Sequence, residues 1–539
     1  MMSASFPLPG VDHGRRILAS VIEKRAEDGS NSPWISVPID EQNLSAGYRD
    51  ISFRQLNNAA NSAAHWLSRN LPKTSEPFQC FAYAGPKDLR YQILAVAAAK
   101  LQKVMVLPSP LATPEAQLQI LEKKNCTVYL RPASMADPVE AVLRGAPHIQ
   151  TITVPEPEEF SLEAEAELVT YSKTWDEGKD DPWLVFHTSG TTGHPKPITY
   201  THRMMATPDT AQTLPDIEES HLHQYAQRRW YTPLPSLHFV GMMMSLCMTS
   251  FVHMTGVIGP PGLPSPEVVM DILRFGRVDG ALLTPALIDQ LCLSPAGVQA
   301  LRELKYIHYA GAPLSAKSAD LLTPYVQVVP CIGSTEAGGY FTTIHDNKDA
   351  WDYVAFQKHA GAEMQHRMND LHELVFVRRP ECAIQQIFLV YPDRDRFETN
   401  DLWKEHPEHK GLWKIIGRSD DYVYLSHGEG LHASSLEPEI MAHPSVKSAI
   451  IGGHGRSAPV LIVELIPGTE YENDRQAFLT SLAPYIDEVN SHCHPSVQLS
   501  PERVIVATKG KPFITTIKGS VARLQTLDLY KDEIAALFP

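Results

Sequence analysis

The sequence HTSGTTGHPKP occupies residues 187–197 and follows the apolar run WLVF at residues 183–186. A short apolar run of this kind is typical of a buried strand. Glycines in the loop let the backbone approach a phosphate closely, hydroxyl side chains add hydrogen-bond donors, and the lysine adds a positive charge. The candidate phosphate ligands are Thr188, Ser189, Gly190, Thr191, Thr192, Gly193 and Lys196.

This loop is not a Walker A loop, because Pro195 stands where that motif has its second glycine. The alternative interpretation is a polar surface loop between two strands. Such loops seldom combine so many phosphate donors. We therefore expect a phosphate-binding loop that directly follows a strand.

Length and composition limit the class of protein. At 539 residues the chain is too long for one hydrophobic core and predicts at least two domains. Its net charge of -15 argues against a nucleic-acid partner. No apolar stretch is long enough for a membrane-spanning helix, and residues 1–10 do not resemble a signal peptide. The 7 scattered cysteines fit a reducing compartment, so we expect a cytoplasmic protein without a membrane partner.

Hydrophobic patterns predict the element order. Residues 78–130 and 268–333 alternate strand-like and helical segments, which indicates parallel sheets with helical crossovers. An amphipathic helix is expected at residues 54–67, and residues 371–377 alternate as a strand. Residues 208–229 are polar and predict a flexible excursion. From about residue 421 the pattern is that of a smaller α+β domain, with a strand at residues 504–506.

The TSGTTGxPK pattern resembles the phosphate loop of the adenylate-forming superfamily. That superfamily includes acyl- and aryl-CoA ligases, luciferases and the adenylation domains of nonribosomal peptide synthetases. Similar counterparts of its other motifs follow in order, at residues 231–242, 331–336, 397–401, 417–421 and 512–518. The resemblance implies an α/β fold with an N-terminal adenylation core at residues 1–418. It also implies a small, mobile α+β lid at residues 419–539.

The resemblance further implies ATP and Mg2+ as cofactors and assigns roles to single residues. Thr335 would bind the adenylate phosphate and Glu336 the metal ion, while Lys518 would bridge the substrate carboxylate and the α-phosphate. The remaining nucleotide contacts would be Ala312 and Ile332 at adenine, Asp401 at the ribose hydroxyls and Arg418 at the ribose or phosphate; Asp420 would be the hinge.

Several positions depart from the family pattern. Ile332 replaces an aromatic residue, Asn400 a glycine, and Ile517 the glycine before the catalytic lysine. Asn400 can still adopt the left-handed conformation. Lys509 and Lys511 are rivals for the catalytic lysine, and spacing from the preceding proline favours Lys518.

The acid pocket is also mapped by resemblance. Its predicted lining is His238, Phe239, Met242, His308, Ala310, Gly311, Cys331, Gly333, Gly339 and Tyr340. No carboxylate occurs at residues 234–251, and a buried ammonium without a counter-charge is costly, so we expect an acid without an α-amino group. Flat and small side chains favour an aryl acid, with a His or Tyr able to hydrogen-bond a ring hydroxyl. α-Keto acids rank second, and aliphatic or betaine-type acids third.

Two stretches place the chain in one branch of the superfamily. The sequence GYRDISFRQLNNAANSAAHWL at residues 47–67 and the L-S-x-G-E pattern at residues 425–429 resemble fungal carboxylate reductases related to nonribosomal peptide synthetases. This implies thioester transfer to a phosphopantetheinylated carrier domain in cis, although no carrier signature follows Lys518. We therefore expect an excised adenylation domain. The alternatives are a free-standing CoA ligase, a thioesterase-terminated synthetase-like protein for an aryl α-keto acid, and a non-catalytic binding module.

Overall fold

The structure is a computed structural model. It describes residues 7, 10–29, 31–110, 112–160, 162, 165–188, 195–215, 217–345, 347–368, 370–382, 384–426, 429–515 and 521–538.

Within these ranges, two large sheets dominate the N-terminal part. The seven-stranded sheet has the strand order Gln327–Cys331, Tyr306–Ala310, Gly280–Leu283, Arg229–Tyr231, Thr255–Val257, Pro33–Pro38 and Tyr48–Ser52. The six-stranded sheet has the order Gln150–Thr153, Val128–Arg131, Cys80–Tyr83, Val104–Val106, Pro182–Thr188 and Lys196–Thr201. In each sheet only the last pair is antiparallel. This agrees with the predicted crossover architecture.

Helices cover both sheets. The principal ones are Leu18–Glu27, Phe53–Asn70, Arg90–Lys100, Pro114–Lys123, Ala136–Leu143, Pro266–Phe275, Pro285–Cys292, Pro295–Arg302 and Ala316–Leu322. The helix Phe53–Asn70 begins with a capping box, in which Ser52 and Gln55 satisfy each other's backbone amides. Its helical spacing of Leu56, Ala60 and Leu67 places all three in the core. No helix in the described ranges has both the length and the apolar character needed to cross a bilayer.

A second layer of smaller sheets follows. A four-stranded antiparallel sheet is formed by Ala362–Met368, Leu371–Val377, Arg396–Glu405 and Trp413–Arg418. Two short hairpins pair Gly333–Ser334 with Gly338–Gly339 and Thr342–Thr343 with Ala355–Phe356. These elements join the seven-stranded sheet to the C-terminal part.

The C-terminal part has its own core. Its strands are Tyr422–Tyr424, Gly430–His432, Val446–Gly452, Val460–Leu465 and Val504–Val506, and its helices are Ala433–Met441, Arg475–Ser491, Arg523–Leu529 and Lys531–Ala536. A separate apolar cluster extends from Val423 to Val504. The predicted domain boundary between residues 418 and 419 stays a prediction.

The polar stretch at residues 208–229 is not the flexible excursion that its composition suggested. It carries the short helices Thr207–Ala211 and Leu222–Tyr225 and buries Asp209, Gln212 and Gln224. Asp209 is fully buried because the side chains of Arg16 and His13 and the amide of Gly14 surround it. A polar composition therefore predicts an exposed segment only where the polar side chains have no partners inside the protein.

Candidate active site

The phosphate-loop prediction falls between two paired antiparallel strands. The strand Pro182–Thr188 pairs with Lys196–Thr201, so that Thr188 lies opposite Lys196. Residues 189–194, which include the predicted ligands Ser189, Gly190, Thr191, Thr192 and Gly193, lie outside the described residues. The base of the hairpin is held by His187, whose Nε2 accepts a hydrogen bond of 3.1 Å from the Ser109 amide.

Tyr200 connects three of the predicted motifs. Its hydroxyl donates a 2.7 Å hydrogen bond to the backbone oxygen of Thr335 and accepts one of 2.6 Å from Gln386. Its ring lies 4.9 Å from that of Phe239, which also packs on Phe186 with ring centres 6.0 Å apart. The phosphate hairpin, the aromatic segment and the Thr335–Glu336 motif therefore meet around one buried tyrosine.

Thr335 and Glu336 occupy the turn between the short strands Gly333–Ser334 and Gly338–Gly339. The turn is tight, since the Ser334 hydroxyl accepts a hydrogen bond of 3.0 Å from the Ala337 amide. A Cβ atom at Gly333 would lie 2.4 Å from the Gly338 oxygen, so this strand pair requires glycine at 333. The turn lies next to Tyr200, on the strand that follows the predicted phosphate loop.

Asp401 and Arg418 meet on the four-stranded sheet. They are direct register partners, and Arg418 Nη1 lies 3.5 Å from Asp401 Oδ1. Tyr340 Oη donates to Asp401 Oδ2 at 3.4 Å, and burial together with this carboxylate raises the pKa of Tyr340 well above its ordinary value. Asn400 has the left-handed conformation expected of it, with φ of 61°. The predicted ribose-binding residues thus form one cluster.

One face of the seven-stranded sheet carries much of the predicted acid pocket. Ala310 and Cys331 are register partners at the ends of neighbouring parallel strands, and His308 precedes Ala310 on the same face. Gly311, with φ of 97°, and Ala312 follow as an exposed turn. His238 precedes the short helix Phe239–Met242, in which Met242 is fully buried. Gly339 and Tyr340 come from the hairpin described above.

Of the pocket residues among which a His or Tyr was expected to hydrogen-bond a ring hydroxyl, His308 is already engaged within the protein. Its Nδ1 lies 2.5 Å from the Tyr225 hydroxyl and its Nε2 lies 2.6 Å from Gln224 Oε1. Both ring nitrogens are therefore already bound inside the protein. Burial holds the pKa of His308 well below its ordinary value, so the ring is neutral.

Only some of the residues predicted to act in the C-terminal part lie within the described ranges. Lys518 and residues 427–428 of the L-S-x-G-E pattern lie outside the described residues, although Thr515 and Val521 form an antiparallel bridge. Asp420 lies in a short 3-10 turn, Ser419–Asp421, immediately after the four-stranded sheet. The rival lysines are engaged elsewhere, Lys509 with Glu472 at 2.7 Å and Lys511 with Glu533.

Glu336 is chemically suited to Mg2+. In nucleotide sites this ion takes one or two carboxylates and fills its remaining positions with phosphate oxygens and water. The described residues contain no cluster of three or more side chains that could hold a metal ion alone. A single carboxylate fits an ion that takes most of its ligands from a nucleotide.

Two family models match the sequence. One, described as AMP-binding enzyme, matches residues 33–365, and the other, described as AMP-binding enzyme C-terminal domain, matches residues 420–539. The chain belongs to the AMP-binding enzyme family. Membership confirms the predicted adenylate-forming superfamily and the predicted enzyme class, an acyl-adenylate-forming ligase.

Relatives of this AMP-binding enzyme include fungal reductases. A carboxylic acid reductase of Neurospora crassa is 30% identical over 98% of this chain and 51% of its own length. An adenylate-forming reductase, Nps9, of Serpula lacrymans is 26% identical over 94% of this chain and 48% of its own length. The chain therefore spans about half the length of these relatives.

Solved structures of AMP-binding enzymes share the fold. ATP-bound MatB from Rhodopseudomonas palustris has a TM-score of 0.71 at 17% identity and covers 96% of this chain and 99% of its own. The anthranilate CoA ligase AuaEII, in complex with anthranoyl-AMP, has a TM-score of 0.72 at 16% identity, covering 97% and 98%. At such low identity these likenesses show the fold alone. They confirm the predicted α/β architecture with a larger N-terminal and a smaller C-terminal part.

Sequence reasoning missed four residues of this site in the AMP-binding enzyme: Tyr200, Gln386, Gln224 and Tyr225. Tyr200 carried a weak signal, because it is an aromatic residue at an inward position of the strand that follows the phosphate loop. The two glutamines and Tyr225 lie outside the motifs and are brought in by partners far along the chain.

Proposed function

We propose that this chain activates an aryl acid, such as a benzoic acid derivative, and then transfers the acyl group to the phosphopantetheine thiol of a carrier domain. The first step is R-COO⁻ + ATP → R-CO-AMP + PPi. In the second, the thiol sulfur replaces AMP at the carbonyl carbon and yields the thioester. In a longer chain a reductase domain with a bound hydride donor would then reduce the thioester to an aldehyde and release the carrier thiol.

The observation that carries this proposal is the position of Tyr200. Through its hydroxyl and ring it holds the Thr335 backbone and Phe239 beside the hairpin of the phosphate loop. ATP phosphates at that loop and an acid beside Phe239 would then be neighbours. Holding two reactants in a fixed geometry is itself a large part of the catalysis of such steps.

The residues of the chain divide the chemistry between them. The phosphate loop and Lys196 would hold the β- and γ-phosphates, while Thr335 would hold the α-phosphate. Asp401, supported by Tyr340 and Arg418, would accept the ribose hydroxyls. Because carboxylate attack on the α-phosphorus brings negative groups together, we assign Lys518 to their junction.

A bound Mg2+ ion on Glu336 would supply further positive charge to the phosphate oxygens. Lys518 is preferred over its rivals partly because Lys509 and Lys511 each pair with a carboxylate of the C-terminal part. After adenylate formation, rotation about Asp420 would withdraw Lys518 and admit the thiol. This order of events is part of the proposal.

The carrier as acyl acceptor is supported by the sequence relatives, whose printed names describe carboxylic acid and adenylate-forming reductases. A free-standing aryl- or acyl-CoA ligase would give the same first step but use free CoA. The two acceptors can therefore be separated by experiment.

The test is PPi release with a panel of aryl, α-keto, aliphatic and amino acids, followed by thioester formation with CoA or a pantetheinylated carrier. We expect an aryl acid to be the best substrate and the carrier to be acylated faster than CoA. Preference for a proteinogenic amino acid would overturn the acid class, and preference for CoA would overturn the carrier assignment. Absence of PPi release from every acid would overturn adenylation.

A matched pair of variants tests the observation itself. Tyr200→Phe removes the hydroxyl that holds Thr335 but keeps the ring on Phe239. Tyr129→Phe removes a buried hydroxyl from the same sheet, where it donates to Gln117 at 3.0 Å. We expect only Tyr200→Phe to lower the rate of PPi release, by roughly tenfold. Equal rates in the two variants would mean that Tyr200 does not position the site.

A further inference from the structure

A chain of hydrogen bonds lies beneath Ala310 and Cys331. Gln224 Nε2 donates to Gln327 Oε1 at 3.0 Å, and Gln224 Oε1 contacts His308 Nε2. His308 Nδ1 contacts the Tyr225 hydroxyl, and Cys331 Sγ lies 3.4 Å from the same nitrogen. Gln224 and Tyr225 belong to the polar stretch outside the family motifs.

The partners determine the direction of each hydrogen bond. Gln224 Oε1 can only accept, so the proton of neutral His308 is on Nε2. Nδ1 is then an acceptor, and the Tyr225 hydroxyl donates a hydrogen bond to it. Both ring nitrogens of His308 are thereby hydrogen-bonded within the protein.

This network would lie at the lower end of the acid pocket that is predicted around Ala310 and Cys331. His308 precedes Ala310 by two residues on the same face, which places it about 7 Å deeper along the strand. Tyr225, Trp230 and His308 fill that depth with ring-to-ring distances of 4.1 to 5.0 Å. The small side chains of Ala310 and Cys331 lie above these rings and are half-buried against them.

We propose that Tyr225, held by His308 and Gln224, determines the depth of the acid pocket and makes its far end apolar. The site then selects acids that are short and end in an apolar group. A hydroxyl at the far end would meet groups that are already hydrogen-bonded to one another and would lose hydrogen bonds that it makes in water, which is costly. This inference rests on the proposed function and narrows its substrate class.

The experiment compares benzoate with 4-hydroxybenzoate, and hexanoate with 6-hydroxyhexanoate, in PPi release. The aliphatic pair keeps the inference testable if the acid is not aromatic. We expect kcat/KM to favour the unsubstituted acid by roughly tenfold to a hundredfold. Equal use of both members of the better pair would overturn the inference and leave adenylation intact, whereas no PPi release from any acid would overturn both.

Variants connect the selectivity to Tyr225. Tyr225→Phe keeps the ring but leaves His308 Nδ1 able to accept from a substrate hydroxyl, so the discrimination should fall about tenfold. Tyr225→Ala should make the acid pocket deeper, so that the enzyme accepts 4-propylbenzoate. The matched control is Tyr309→Phe, on the opposite face of the same strand. The same discrimination in Tyr225→Phe as in Tyr309→Phe would overturn the inference, and so would exclusion of 4-propylbenzoate by a folded Tyr225→Ala enzyme.

Discussion

Asp401 and Arg418 lie directly opposite each other on neighbouring antiparallel strands, with Arg418 Nη1 3.5 Å from Asp401 Oδ1. Tyr340 approaches the other carboxylate oxygen from the hairpin that carries Thr335 and Glu336. The carboxylate is therefore oriented from two sides by the protein itself, so under the proposed ribose assignment little ordering would remain on nucleotide binding.

Asp401→Asn should weaken ATP binding. The amide cannot accept two hydroxyl donors as a carboxylate does, and hydrogen bonds to charged groups contribute about 1.5–3 kcal/mol. We expect the KM for ATP in PPi release to rise by roughly tenfold to a hundredfold. Asp395→Asn, an exposed carboxylate next to the same strand, is the control. An unchanged KM for ATP in a folded Asp401→Asn enzyme would contradict the ribose assignment.

Lys518→Ala should reduce adenylate formation by roughly a hundredfold or more, because it removes the cation at the junction of carboxylate and phosphate. Thioester formation from pre-made acyl adenylate should survive. Lys509→Ala removes a lysine that pairs with Glu472 and should retain both half-reactions. Normal PPi release in the Lys518→Ala variant would contradict this assignment and leave Lys511 as the candidate lysine.

Asp420→Pro should separate the two half-reactions. Proline restricts φ to about -65°, whereas a hinge residue must change its torsions. We expect adenylate formation to persist. Thiol acylation should fall by at least tenfold, because the proposed rotation must come before it. Asp420→Ala, which keeps torsional freedom, is the control. Equal losses in both half-reactions would show that residue 420 is not a hinge.

Gly241→Ala should destabilise the aromatic segment. A Cβ atom there would lie 2.1 Å from the Pro235 oxygen, so the helix Phe239–Met242 must move. Overpacking of this kind costs about 1–3 kcal/mol in the free energy of unfolding, measured by urea denaturation. Gly510→Ala meets no atom within 4 Å and should be neutral. Equal stability of the two variants would contradict this packing.

One buried and two half-buried histidines should make the protein less stable in mild acid. Burial lowers the pKa of His202 to about 3 and of His221 and His253 to about 4, from an ordinary value of 6.5. Below pH 6.5 the unfolded chain therefore takes up protons that the folded chain does not. Each such residue should lower the free energy of unfolding by about 1.4 kcal/mol per pH unit down to its folded pKa.

Urea denaturation at pH 7 and pH 5.5 measures this loss. His202→Phe keeps a ring stacked on Trp183. It should reduce the pH dependence of the free energy of unfolding by the contribution of one histidine. His148→Phe, at an exposed position, should leave the dependence unchanged. An identical pH dependence in both variants would contradict the assignment to His202.

Local patterns predicted much of the fold. The strands expected at residues 371–377 and 504–506 are found with the same bounds, and the helix expected at residues 54–67 extends to Phe53–Asn70. These predictions succeeded because the period of apolar residues reports which face is buried. The family motifs likewise indicated which segments would meet, and the contacts of Tyr200 and Asp401 bring several of them together.

The sequence by itself determined the family, the order of the elements and the residue types available for phosphate, ribose and acid. Only the tertiary structure decided which polar groups remain available at the site. His308 resembled a ligand-binding residue, yet Gln224, 84 positions away, and Tyr225 use both of its nitrogens. Whether a polar side chain serves a ligand or the protein depends on its partners in space, and no local pattern in the chain records them.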